Sequence, residues 1–150
     1  MALGRCSVAI MAVRTRFTEL AGCQVPIQQA PMGPVSTPAL AVAVADAGGV
    51  GSITAMGFTA AQLDKVLAGM AEQTTGVLAA NFLTEDIDRE AVEAAAARVR
   101  IVDFFWADPD PALVEIAHRG GRDRRWPLIR RSARHRCGRR PGGHPVRRHH

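Results

Sequence analysis

The chain has 150 residues and divides by charge into two unequal parts. Residues 1–118 contain seven basic and thirteen acidic side chains, a net charge of −6, whereas residues 119–150 contain twelve arginines, no lysine and one acid, a net charge of +11. The overall net charge of +5 and the sequence pI of about 10.4 therefore come from the C-terminal part alone. The length allows one ordinary domain and excludes a complete (β/α)₈ barrel, which needs ~200 residues or more.

The cysteines and the apolar runs exclude several further classes of protein. Cys6, Cys23 and Cys137 are odd in number and far apart. They therefore indicate neither a disulfide framework nor a metal site, and a cytoplasmic setting is expected. No apolar run approaches the ~20 residues that a membrane span needs, so no membrane partner is expected. Residues 1–13 are predicted to be a disordered extension, and Met11 offers a second start codon.

The first part of the body predicts two strand–helix units. Residues 25–30 predict a short strand, and the proline- and glycine-rich loop that follows excludes regular structure. Thr37 and Pro38 predict the start of a helix, with Thr37 as the cap and Pro38 at the first helical position. A Gly-Gly pair ends that helix, and Val50–Thr54 is the second strand.

Two further units continue the alternation. Thr59 and Gln62 form a capping-box pair that starts the next helix. Residues 76–83 predict a third strand, whose continuously apolar middle is typical of a strand buried on both faces. The remaining elements are a helix at 88–100, a strand at 101–106 and a helix that begins at Asp110-Pro111 and runs through Ala117. Four such units with short connections predict an α/β fold with a parallel sheet and crossover helices.

The pattern stops after Gly121. A fifth strand is due there, but the last apolar run, at 126–129, is interrupted by Pro127, so no strand is expected. The Arg-rich segment 122–150 has too little apolar content to fold and is predicted to be disordered. Arginine without lysine, together with Gly, Pro and His, is typical of a GC-rich gene translated out of frame. We favour that interpretation over a basic tail that binds nucleic acid.

Candidate ligand-binding residues lie where predicted strands end. Pro31, Met32 and Gly33 follow the first strand, and Gly33 would let a flat ring approach the backbone closely. A plain proline-rich turn explains the same residues. Asn81 lies near the end of a buried strand, where a ligand and a backbone partner are equally good explanations for a buried amide. Asp103 lies early in its strand, where structural pairing is the better explanation.

Two other features are assigned structural roles. The glycine-rich segment 48–52 follows a helix and opens a strand, which is the reverse of a dinucleotide-binding fingerprint. Helix termination and close packing explain those glycines. His118 lies at a helix C-terminus, where it is predicted to interact with the helix dipole and not to act as a base. No catalytic residue and no metal site is assigned.

Several segments, in order, resemble the nitronate monooxygenase family, formerly called 2-nitropropane dioxygenases. They are residues 14–20, 25–33, 36–51, 78–83 and 102–106, and the resemblance extends over about 14–121. It implies the N-terminal half of an FMN-dependent TIM barrel, a partial barrel of about four β–α units. It also implies oxidation of alkyl nitronates with O₂, so a small nitronate and O₂ are the expected partners.

The resemblance further implies which residues contact the cofactor. The family's FMN contacts correspond to Pro31, Met32, Gly33, Asn81 and, more weakly, Leu83. The family's catalytic His lies in a Gly-Gly-His motif well beyond the fourth strand. Residues 142–144 have the same letters but lack the intervening strands, and we interpret them as a coincidence. The family's phosphate-binding glycines have no counterpart, so the polypeptide as written is expected to be inactive.

Two other functions stay open at this point. An FMN-dependent enoyl-acyl carrier protein reductase belongs to the same superfamily, and its N-terminal half is similar. A non-catalytic protein with a nucleic-acid-binding tail is the alternative of another class, and a salt-sensitive DNA affinity would support it. The sequence predicts no oligomeric state.

Overall fold

The computed structural model describes residues 13–83, 87–105 and 110–120, together with the backbone of 128–131. Its helices are α1 (Arg16–Ala21), α2 (Pro38–Asp46), α3 (Ala60–Gln73), α4 (Arg89–Ala96) and α5 (Pro111–Arg119), and a 3₁₀ turn spans Gly33–Val35. Its strands are β1 (Val50–Thr54), β2 (Val77–Leu83), β3 (Ile101–Phe105) and β4 (Leu128–Arg131). The predictions for residues 1–12, for Trp106, for 121–127 and for 132–150 lie outside the described residues.

The four strands form one parallel sheet in the order β1-β2-β3-β4. Helix α2 packs on β1, and α2, α3, α4 and α5 pack on one another in chain order. This arrangement confirms the predicted parallel sheet with crossover helices. None of the described helices is both long enough and apolar enough to cross a bilayer.

Local sequence signals set the helix starts as predicted. The Thr37 side chain accepts a hydrogen bond from the backbone N–H of Leu40 at 3.2 Å, and Thr59 and Gln62 form a reciprocal capping box. Helix α4 is shorter than predicted and ends at Ala96. The reason lies in the sheet, because the backbone N–H of Arg100 donates to the carbonyl of Leu78 at 3.1 Å. Because that hydrogen bond pairs Arg100 with β2, the backbone at Arg100 already lies beside the sheet and leads directly into β3.

Residues 25–30 do not form the regular strand that the sequence predicts. A single parallel bridge joins Gln28 to Val50. Two backbone hydrogen bonds, each 2.9 Å long, hold it, from Val50 to Ile27 and from Gln29 to Val50. The prolines at 26 and 31 have no N–H to donate, which limits the ladder on both sides. The predicted strand is therefore correct in place, beside β1, and wrong in extent.

The expectation that no strand follows Gly121 is wrong. Strand β4 pairs in parallel with β3, with Leu128 opposite Ile101 and Arg131 opposite Phe104. Pro127 directly precedes this strand, where a missing N–H does not interrupt the ladder. The residue that the sequence argument took as a break therefore flanks a short strand.

The helix-facing side of the sheet holds the larger core. Strand residues that point to this side are buried and apolar, among them Ile53, Phe82 and Phe104. The rings of Phe82 and Phe104 have centroids 6.0 Å apart. A Cβ at Gly51 would collide with the carbonyl of Ala41 in α2, so the glycine allows helix and sheet to approach. This contact confirms close packing as one role of the glycine-rich segment.

A smaller core covers the beginnings of the strands on the opposite face. Helix α1, which the sequence analysis did not predict, contributes Ala21, and Cys23 follows it. They pack against Val50, Ala79 and Ile101. Helix α1 covers only the amino-terminal ends of the strands. On this face, the carboxyl ends of the strands carry polar residues.

Candidate functional site

A row of polar residues crosses the sheet near the carboxyl ends of the strands. The parallel register aligns Thr54 with Asn81 and Asn81 with Asp103. All three are buried, with 9%, 4% and 4% of their surface exposed. Register partners in a parallel sheet place their side chains on the same face, which here is the face opposite the helices. Buried polar groups need hydrogen-bond partners, so such a row is expected beside a ligand.

The amide of Asn81 is held by its neighbour in the row. Its Nδ2 donates to the backbone carbonyl of Asp103 at 3.4 Å, a long hydrogen bond. An amide has two N–H donors and a carbonyl acceptor, so this contact uses only a part of what Asn81 can offer. The orientation of the side chain is thus constrained while hydrogen-bonding capacity remains.

A cavity of about 410 Å³ lies at this end of the sheet. Its lining residues all come from strand ends and the segments that follow them: Gln28, Gln29, Ala30, Pro31, Gly33, Thr54, Met56, Asn81, Leu83, Asp103 and Phe105. Four of the five predicted site residues are in this set. The exception is Met32, which is 47% exposed and does not line the cavity. A second cavity of about 310 Å³ adjoins it and shares Gly33, Thr54 and Met56.

Ser36 shapes the loop that forms one wall of the cavity. Its hydroxyl accepts a hydrogen bond from the backbone N–H of Met32 at 2.7 Å and donates to the carbonyl of Ala30 at 2.9 Å. Gly33 has a φ of +54°, and a Cβ added there would meet nothing within 4 Å. The backbone conformation, not crowding, therefore favours glycine. The sequence analysis did not identify Ser36, whose only signal was its place in a proline-rich loop.

Two consecutive glutamines form the base of the same wall. The Nε2 of Gln28 donates to the hydroxyl of Ser52 at 3.3 Å, and the Nε2 of Gln29 donates to the carbonyl of Ser52 at 3.1 Å. The Oε1 of Gln29 is buried and has no hydrogen-bond partner among the described residues. Neither glutamine was predicted as a site residue, although both immediately precede the Ala-Pro-Met-Gly segment.

The chemistry of the lining fits a flat, neutral ring with hydrogen-bonding edges. Amide groups, a hydroxyl and the Asp103 carboxylate supply donors and acceptors, the Gly33 backbone leaves room for close approach, and Leu83 and Phe105 supply apolar surface. Among the lining residues that the structure describes, none is a lysine, arginine or histidine. His118 lies in the last turn of α5. No cluster of potential metal ligands occurs in the described part of the chain.

Comparison with known proteins gives a consistent result. The family model of nitronate monooxygenase matches residues 14–116. Nitronate monooxygenase of Pseudomonas aeruginosa is 64% identical over 45 residues, which are 30% of this chain and 13% of that protein. The chain thus spans a small part of the curated relative's length.

Two solved structures align with most of the chain. FabK from Thermotoga maritima aligns with a TM-score of 0.66 and 28% identity, covering 73% of this chain and 36% of that one. Nitroalkane oxidase from Streptomyces ansochromogenes aligns with a TM-score of 0.58 and 22% identity, covering 71% and 40%. The parallel β–α units described above are therefore part of a (β/α)₈ barrel, as expected. Because the family match extends over more than half of its residues, the chain belongs to the nitronate monooxygenase family.

Proposed function

We propose that the cavity binds the isoalloxazine ring of FMN. One observation carries the proposal. Pro31, Gly33, Asn81 and Leu83, expected as FMN contacts from the family resemblance, come from separate parts of the sequence and line one cavity at the carboxyl ends of the strands. This is the end of a (β/α)₈ barrel where active sites are built.

The proposed function is that of the N-terminal, ring-binding half of an FMN-dependent oxidoreductase that oxidises alkyl nitronates with O₂ in the cytoplasm. Bound FMN would take electrons from the nitronate and pass them to O₂. The residues of this chain would bind and orient the ring: Gly33 through its backbone, and Asn81 through its amide. Leu83 and Phe105 would exclude water from it. The described lining has no cation to hold a phosphate, so we assign it to the ring and not to the phosphate.

Flavin binding by the purified chain tests this assignment. We expect lumiflavin, which is the ring without ribityl phosphate, to bind, and Asn81→Leu to weaken it on the order of tenfold, the size of one hydrogen bond to a buried group. Fluorescence quenching of the flavin measures both affinities. Thr74→Ala is the matched control, because Thr74 is a buried polar residue at the C-cap of α3, away from the cavity. Equal affinity in Asn81→Leu and the unchanged chain would contradict the proposal.

Oxygen uptake with a small alkyl nitronate tests the reaction itself. The only histidine among the described residues, His118, does not line the cavity, so the general base of the family has no match there. We therefore expect flavin binding without substantial turnover. Turnover by the purified chain would show that another group supplies the base.

The second candidate function is reduction of an enoyl-acyl carrier protein. It is favoured by the alignment with FabK, which has both a higher TM-score and a higher identity than the alignment with nitroalkane oxidase. The two functions differ in the electron donor. Anaerobic bleaching of the bound flavin by a nitronate would support the first, and bleaching by NADH or NADPH would support the second.

A further inference from the structure

The cavity wall contains a buried amide oxygen whose hydrogen bond is not made within the described residues. It is the Oε1 of Gln29. The hydrogen bond to Ser52 settles which end of this amide is nitrogen, because its Nε2 must be the atom that donates to the carbonyl. The oxygen is therefore the atom left over. A buried acceptor without a donor is unfavourable by the desolvation of the group, and such groups in native proteins are usually satisfied by a ligand or water.

The proposed ligand restricts which atom can satisfy this oxygen. An oxidised isoalloxazine ring carries several acceptors but a single N–H, at position N3 between two carbonyl groups. A second amide of the cavity, on Asn81, has N–H groups to donate and suits one of those carbonyls. A donor and an acceptor in the same cavity are what a carbonyl next to an N–H on one edge of the ring requires.

We propose that Gln29 binds the flavin ring by accepting a hydrogen bond from N3–H at its Oε1. This inference rests on the proposed function of the cavity. A small rotation about the terminal torsion of the side chain, which is broad for amides, would turn the Oε1 toward the ligand while the Nε2 keeps its hydrogen bond to the carbonyl of Ser52. Ser52 then serves as the anchor that holds the Nε2 side of the amide in place.

A double-mutant cycle between protein and ligand tests the inference without an activity assay. Lumiflavin and 3-methyllumiflavin differ only in the substituent at N3, which is a hydrogen atom in the first and a methyl group in the second. In the unchanged chain we expect N3-methylation to weaken binding on the order of tenfold, the effect of leaving one buried acceptor unsatisfied. In Gln29→Met, lumiflavin should bind about tenfold more weakly, and methylation should then weaken binding less than about twofold.

Gln28→Met is the matched control. Gln28 is the adjacent residue of the same type, also lines the cavity and also donates to Ser52. It should keep the full methylation effect. Thermal melts followed by circular dichroism identify any variant that does not fold, and the methylation effect in the unchanged chain then carries the test.

The outcomes separate this inference from the function on which it rests. A methylation effect that persists in Gln29→Met and disappears in Asp103→Leu would assign the N–H to the carboxylate and overturn the role of Gln29. Flavin binding that depends on Asn81 but shows no coupling at Gln29 would also overturn it, while leaving the proposed function intact. Absence of lumiflavin binding to the unchanged chain would overturn both.

Discussion

The two faces of the sheet carry different side chains along the same strands. On the helix side, the apolar character continues to the carboxyl ends, as Phe82 and Phe104 show. On the other face, β2 changes from Ala79 to Asn81 and β3 from Ile101 to Asp103 within two residues. Packing accounts for the residues on the helix-facing side and, on the opposite face, for those at the amino-terminal ends of the strands. The polar residues near the carboxyl ends on that opposite face add little to stability, which is the physical reason to look for a ligand there.

The largest expected effect is on the helix-facing core. Phe104 is fully buried and contacts Phe82, so Phe104→Ala should lower the free energy of unfolding by about 3–5 kcal/mol. The adjacent Phe105 points to the other face and is 38% exposed. Phe105→Ala should therefore have a clearly smaller effect. Urea denaturation measures both, and similar losses at the two positions would contradict the division of roles between the faces.

A pair of glycines gives the next effect. Gly51→Ala places a Cβ against the backbone of α2, and should destabilise the chain by about 1–3 kcal/mol through overpacking. Gly69 lies within α3, and a Cβ there meets nothing within 4 Å. Gly69→Ala should therefore stabilise the chain by about 0.5–1 kcal/mol. Opposite signs in thermal denaturation are the expected result, and the same sign at both would refute the close contact of α2 with β1.

The smallest effect is expected at a partly exposed ion pair on the surface of the helix layer. Arg98 holds Asp64 through hydrogen bonds of 2.8 and 3.1 Å, and these hydrogen bonds keep the pKa of Asp64 below its ordinary value of 3.8. A lowered carboxyl pKa contributes stability above the pKa of the unfolded chain. This contribution is lost as the pH falls through the folded value.

Arg98→Ala should therefore melt slightly below the unchanged chain at neutral pH, and the two should converge once the carboxyl group is protonated. High salt should also reduce the difference at neutral pH. Melting temperatures measured over a pH series provide the check. A difference that persists in acid would show that Arg98 acts through packing of its aliphatic chain.

Local signals predicted the elements that depend on a few neighbouring residues. Thr37, Thr59 and Asp110 start helices as expected, because a capping hydrogen bond is made within three residues. The parallel sheet also followed from the alternation of elements. Position in a strand likewise identified Asn81, whose role as a flavin contact stays a proposal.

The sequence failed where pairing depends on distant partners. The segment at 25–30 makes one bridge in place of a strand, and β4 forms although a proline precedes it. In both cases the neighbouring strand decides how many N–H and C=O groups find partners. Gln29 was missed for a related reason. Its Oε1 has no partner among the described residues. Only the folded structure shows this, because the Nε2 of the same amide donates to the carbonyl of Ser52, which lies 23 residues away in the sequence.

The sequence by itself determined the order of β1 to β3 and α2 to α5, the starts of those helices and the family resemblance, because these depend on periodicity, capping and motifs within short windows. Only the tertiary structure decided which polar residues share a face and a cavity. Parallel register brings Thr54, Asn81 and Asp103 into one row. Register is a property of paired strands, set by the packing of the crossover helices between them. A single strand read alone therefore does not contain it.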